Sequence, residues 1–124
     1  MAKKRIIMLE NDERVQYAFT KVLEHEGCEC LAASAKDNKC DCLSEKKPDA
    51  LFIDISCPHK EIKDIIKKME TGELGTPVFV LTSHLTDELK QWCIKHNAMG
   101  ILEKPVSIHA LREILKMLDA KTML

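Results

Sequence analysis

Four polar groups in this chain each follow a short apolar run: Glu10-Asn11-Asp12, Asp54, Thr82 and Lys104. Their types suit one chemistry, the capture of a phosphoryl group by a carboxylate. Asp54 closes the run Ala50-Leu51-Phe52-Ile53, with Pro58 shortly beyond, and reads as a nucleophile that would form an aspartyl phosphate. A charge at the end of a buried strand costs free energy unless water, a metal or a cation stands beside it. The acidic group at 10–12 would hold Mg²⁺, which takes oxygen ligands and keeps several waters. The Lys104 ammonium would neutralise phosphoryl oxygens, and the Thr82 hydroxyl would hydrogen-bond another. Thr82 or Lys104 alone would be an ordinary strand-end residue, so the case rests on joint placement.

Joint placement requires elements that deliver these groups to one edge. Arg5–Leu9, Cys28–Ala33, the run into Asp54, Pro77–Leu81 and Gly100–Glu103 read as strands. The second is less apolar, as suits a sheet edge. Between them, Val15, Ala18, Phe19, Val22 and Leu23 keep helical spacing, closed by Gly27. Lys36–Ser44 reads as a weak helix, and Ile62, Ile65, Ile66 and Met69 as a further one stopping near Gly72 and Gly75. Thr86 caps a helix through Leu89, Trp92 and Cys93, and Ser107 caps the last, with Ile108, Leu111, Leu115 and Leu118 on its apolar stripe. Strand and helix alternate five times, with short connections. That pattern predicts an α/β fold, a doubly wound parallel five-stranded sheet with helices on both faces. The carboxyl ends of all five strands then share one edge, where such sheets build their sites.

Length and composition fit one domain across residues 1–124, its core about 4–119, with no output domain expected. The charge is balanced, 19 basic residues against 20 acidic, so neither nucleic acid nor an anionic membrane is the expected partner. No apolar run reaches membrane-spanning length, and no signal-peptide pattern opens the chain. A cytoplasmic location follows as the expectation, with the six cysteines reduced.

The acidic cluster after the first strand, Asp54-x-x-x-Pro58, Pro77-x-x-x-Leu81-Thr82 and Gly100-x-x-x-Lys104-Pro105 stand in a specific order and spacing. Through them the chain resembles the receiver domains of two-component response regulators, of the stand-alone kind, over essentially its whole length. The resemblance implies the flavodoxin-like strand order 2-1-3-4-5 and a cis peptide before Pro105. It implies that Asp54 accepts phosphate from a histidine kinase or phosphotransfer protein, with Thr82 and Lys104 binding the phosphoryl group. Mg²⁺ would be held by Glu10, Asn11, Asp54 and the Ser56 backbone carbonyl, with Asp12 as a poorly placed substitute. Implied too are bacterial signalling, a downstream protein partner on the last two helices and the strand between them, and a monomer or weak homodimer. The chain would be a phosphoacceptor, not an enzyme turning over a substrate of its own.

Three departures mark this member. Asn11 stands where the family carries a second adjacent carboxylate, which removes one negative charge from the metal site. Ile101 replaces an aromatic residue that, in the family, turns inward when the threonine engages phosphate. The stretch after Pro58, His59-Lys60-Glu61-Ile62-Lys63, lacks the usual glycine. Ser56 and His84 occupy positions that tune phosphate lifetime in the family. Asn11 and Ile101 leave open an alternative, a pseudo-receiver regulated without phosphorylation. Enzyme readings fit poorly: Asp54-Ile55-Ser56 lacks the second acid of a dehalogenase-type phosphatase, and Glu10-Asn11-Asp12-Glu13 would repel a flavin phosphate.

The cysteines invite a metal, through Cys28-x-Cys30 and Cys40-x-Cys42 with Cys57 and Cys93. Zinc knuckles more often use wider spacing, so packing thiols are the expectation, with Cys30 in the core. Cys57 lies beside Asp54 in an expected loop. The five histidines are scattered and read mostly as surface residues, His84 alone being next to the site. Trp92 reads as helix packing.

Overall fold

The computed structural model describes residues 3–33, 48–56 and 62–123, with side chains through Ala120. Its strands are β1 (Arg5–Leu9), β2 (Glu29–Ala33), β3 (Ala50–Asp54), β4 (Val78–Thr82) and β5 (Gly100–Glu103). They pair in parallel in the order β2-β1-β3-β4-β5, the flavodoxin-like order, with β2 at one edge. The described helices are α1 (Glu13–His25), α2 (Ile62–Thr71), α3 (Asp87–Lys95) and α4 (Ile108–Met123). The expected helix over Lys36–Ser44 lies outside the described residues.

Alternation along the strands divides the core into two layers. Ile6, Met8, Ala50, Phe52, Phe79 and Leu81 face one side, with Phe19 and Leu23 of α1 and Leu111, Ile114 and Leu118 of α4. Ile7, Leu9, Leu51, Ile53, Val78 and Val80 face the other, with Ile62, Ile65 and Met69 of α2 and Cys93 of α3. Phe52 sits between Phe19 and Phe79, with ring centroids 5.8 and 5.4 Å away. Residues 50–54 are all buried, as a central strand covered on both faces must be.

Helix ends follow from local chemistry. Asp12 caps α1, accepting from the Arg14 N–H at 2.9 Å, and Thr86 caps α3, accepting from Leu89 N–H at 3.1 Å. Ser107 does the same for α4 through the Ala110 N–H at 3.0 Å. At the other end of α1, Gly27 takes φ +85°, with Gly27 N–H bonding the Glu24 carbonyl and Cys28 N–H the Leu23 carbonyl. Asn97, at φ +64°, closes α3 in the same manner.

One expectation about α4 changes. Ile108 was expected on the apolar stripe but is 47% exposed, whereas Ile114 is buried. As the first helical residue, Ile108 precedes the turn that packs, and the buried positions run Leu111, Ile114 and Leu118.

Candidate functional site

β1 and β3 end side by side, with β5 beyond β4, and the charged groups Glu10, Asp54 and Lys104 stand at or just past those ends. Asp54 pairs in register with Leu81 of β4, and Thr82 with Glu103 of β5. The Lys104 N–H continues this ladder by bonding the Thr82 carbonyl at 2.7 Å, and the Lys104–Pro105 peptide is cis, as the resemblance implies. The Lys104 side chain lies over the sheet edge.

There its Nζ donates to Asp54 Oδ2 at 2.8 Å and to Glu10 Oε2 at 2.9 Å. Both carboxylates are buried, with Glu10 only 2% exposed, so the ammonium supplies the cation that two buried charges need. Glu10 Oε1 accepts from the Asp12 N–H at 3.1 Å, while the Gln16 side-chain amide donates to the Glu10 carbonyl. Asp54 Oδ1 accepts from the Ser56 N–H at 2.9 Å and the Ser56 hydroxyl at 2.6 Å. Burial alone would raise the Asp54 carboxyl. The Lys104 and Ser56 hydrogen bonds outweigh it and hold the group below the usual carboxylate range. Burial likewise works against the Lys104 cation, and its bonds to Asp54 and Glu10 outweigh that and raise it. Asp54 is therefore a buried carboxylate held in its charged form beside a fixed positive charge.

The remaining expected residues take varied positions. Asn11 is exposed beside the cluster. Asp12 is engaged as the cap of α1, its carboxylate facing the helix start and Arg14. Thr82 lies at the same edge, but its hydroxyl donates to the His84 carbonyl and accepts from the His84 N–H, both at 3.1 Å. Among the described residues, then, Glu10, Asp54, Ser56 and Lys104 are joined by hydrogen bonds, and Thr82, at the end of β4, is bonded instead to the loop that follows. That loop is held by Glu103 Oε2, which accepts from the Leu85 N–H at 3.1 Å. Ile101 is half-buried and packs against the α2–α3 layer.

The donors suit a hard cation: two carboxylates and an amide, all oxygen. No group of three or more His, Cys, Asp or Glu residues able to hold a metal occurs among the described residues. Cys28 and Cys93 are buried in opposite layers and cannot share a metal. Burial pushes the Cys30 thiol up to about 11 and raises Cys28 and Cys93 as well. Cys30 is only half-buried, packed against the core. Cys40, Cys42, Cys57, Pro58 and His59 lie outside the described residues.

Sequence reasoning missed Gln16, Glu103 and the setting of His96, which is paired and stacked instead of freely solvated. The four-residue spacing of Trp92 and His96 on a helix was the available signal. Trp92 and Leu89 pack against the layer containing Cys93, as expected.

Comparison with known proteins agrees with this geometry. The chain is 26% identical over 122 residues to the sensory/regulatory protein RpfC of Xanthomonas campestris, matching 95% of this chain and 17% of that protein. It therefore spans about a sixth of that relative's length. With protein PilH of Pseudomonas aeruginosa it shares 27% identity over 111 residues, 86% of this chain and 90% of PilH. A crystal structure of a CheY-like response regulator receiver domain protein from Methanospirillum hungatei superimposes with a TM-score of 0.80 at 22% identity, covering 98% of each chain. Among the described residues no helix is long and apolar enough to cross a membrane. The family model for the response regulator receiver domain matches residues 6–116, and the chain belongs to that family.

Proposed function

We propose that Asp54 is the phosphoacceptor of a two-component relay and that the chain acts by docking to a partner once Asp54 is phosphorylated. The observation that carries this reading is the single Lys104 ammonium shared by two buried carboxylates at adjacent strand ends. An Asp54 carboxylate oxygen attacks the phosphorus of a phosphohistidine on a kinase or phosphotransfer protein. The new O–P bond forms as the P–N bond breaks, and the imidazole leaves with a proton from solvent. No general base is needed, because Asp54 is already ionised. Lys104 is placed to neutralise an oxygen of the incoming group. Thr82 reaches the group only by giving up its bonds to His84.

Receiver domains generally use Mg²⁺ at this position, and the oxygen donors here fit it. Glu10, Asp54, the Asn11 amide and the Ser56 carbonyl would hold the ion. When bound, it offsets the negative charge of the phosphoryl group. The chain would be a substrate that promotes its own phosphorylation and dephosphorylation, not an enzyme acting on others, and would work in the cytoplasm of a bacterium. Asn11 favours a second reading, a receiver that binds its partner without phosphate.

Intact mass after incubation with acetyl phosphate, with and without Mg²⁺, separates the two. A magnesium-dependent phosphoryl adduct on wild type and none on Asp54→Ala is expected. An unmodified wild type at high magnesium would favour the second reading.

A further inference from the structure

Away from the acidic site, the last turns of α2 and α3 are joined by a cluster that phosphoryl chemistry leaves unused. The Trp92 and His96 rings stack, with centroids 4.3 Å apart and planes inclined by 19°. The His96 Nδ1 lies 2.8 Å from the Trp92 carbonyl oxygen. Its Nε2 lies 3.0 Å from Oε1 of Glu70 on α2, and the imidazole is 16% exposed. The Asn97 amide adds a long contact of 3.5 Å to the Met69 carbonyl.

Both oxygens that face the imidazole only accept. A neutral imidazole has one N–H and one lone pair, whereas the imidazolium has two N–H groups. The two contacts are therefore satisfied together only when the ring is protonated. When the proton passes to water, a lone pair turns toward the carbonyl or the carboxylate, and one of the two bonds is lost. Among the described residues Glu70 is the acidic side chain paired with His96. The other charged side chains on these last turns are Lys67, Lys68 and Lys95. Lys68 pairs with Asp64 at 3.2 Å, and Glu73 follows in the connection.

We infer that His96 and Glu70 form a proton-sensitive clasp that fastens the end of α3 to α2 and releases it as the pH rises. α3 continues directly from the loop holding Thr82, through its Thr86 cap, so the clasp sets how freely that helix shifts. The device does not depend on Asp54 accepting phosphate.

Trp92 is the single tryptophan, so its emission reads the stack directly. The full chain is compared with His96→Gln and Glu70→Gln between about pH 5.5 and about pH 8.5, where histidine titrates. Wild-type emission should change with pH, and His96→Gln emission should not. At the acid end wild type should melt roughly 3 °C above both variants, and this margin should shrink as the pH rises. Amide exchange at Ala98 should quicken over the same range in wild type alone. Wild-type emission independent of pH, or melting that runs parallel in all three proteins, would overturn the inference.

Discussion

Lys104 pairs with two buried carboxylates, Glu10 and Asp54, and this gives it a structural role. Removing one partner of a buried ionic cluster leaves the others uncompensated, at a cost of about 3–5 kcal/mol. Lys104→Met should lower stability by that order in denaturant titration. The pH dependence has a defined sign. Asp54 is lowered by folding, so its contribution is complete above the ordinary aspartate value of about 3.9 and is lost as the pH falls through the folded value. Lys104 is raised, so its contribution is complete below about 10.4 and is lost as the pH climbs through its folded value. The gap between wild type and Lys104→Met should thus be flat from about pH 5 to about pH 9 and narrow in acid. At Asn11, a neutral amide stands exposed where a carboxylate would add charge. Asn11→Asp should tighten Mg²⁺ binding by about tenfold, roughly 1.4 kcal/mol, read from the melting-temperature rise on adding MgCl₂. An unchanged rise would remove Asn11 from the metal site.

At the scale of elements, helix ends decide how each crossover returns to the sheet. Gly27 holds φ +85° at the end of α1, and a Cβ there would meet nothing within 4 Å. The cost of Gly27→Ala is therefore conformational alone, about 1 kcal/mol, visible as a lower denaturant midpoint with an unchanged slope. Asn97 does the same work at the end of α3 with a side chain that tolerates the left-handed region. The loop between β4 and α3 is held differently, by Glu103 and by the mutual bonds of Thr82 and His84. Half-buried Ile101 of β5 packs against the α2–α3 layer, an aliphatic residue where the family resemblance has an aromatic one.

For the molecule as a whole, two apolar layers clamp a sheet whose one edge is polar. Phe52 is fully buried at the centre of the α1–α4 layer, touching both other phenylalanines. Phe52→Ala should cost about 3–5 kcal/mol, measured by denaturant unfolding, while the Asp54–Lys104 pair at the edge stays formed. The buried sheet beneath that pair positions the carboxylate and the cation.

Much of this architecture could be read from the residues because its causes are local. Strand alternation, helical spacing, the Asp12, Thr86 and Ser107 caps and the glycine after α1 each act over a few residues. Parallel pairing then forces the strand ends together, so Asp54 and Lys104 were expected to meet. Which oxygens they meet depends on side-chain rotamers and on groups far apart in the chain. Lys104 bonds Glu10 across 94 positions, and no spacing rule selects Glu10 over Asp12. The same holds for Thr82, whose hydroxyl bonds the His84 backbone. It holds for His96, whose partner Glu70 belongs to another helix. Packing brings these groups within hydrogen-bonding distance, and a hydrogen bond, unlike a hydrophobic stripe, exists only at one distance and direction.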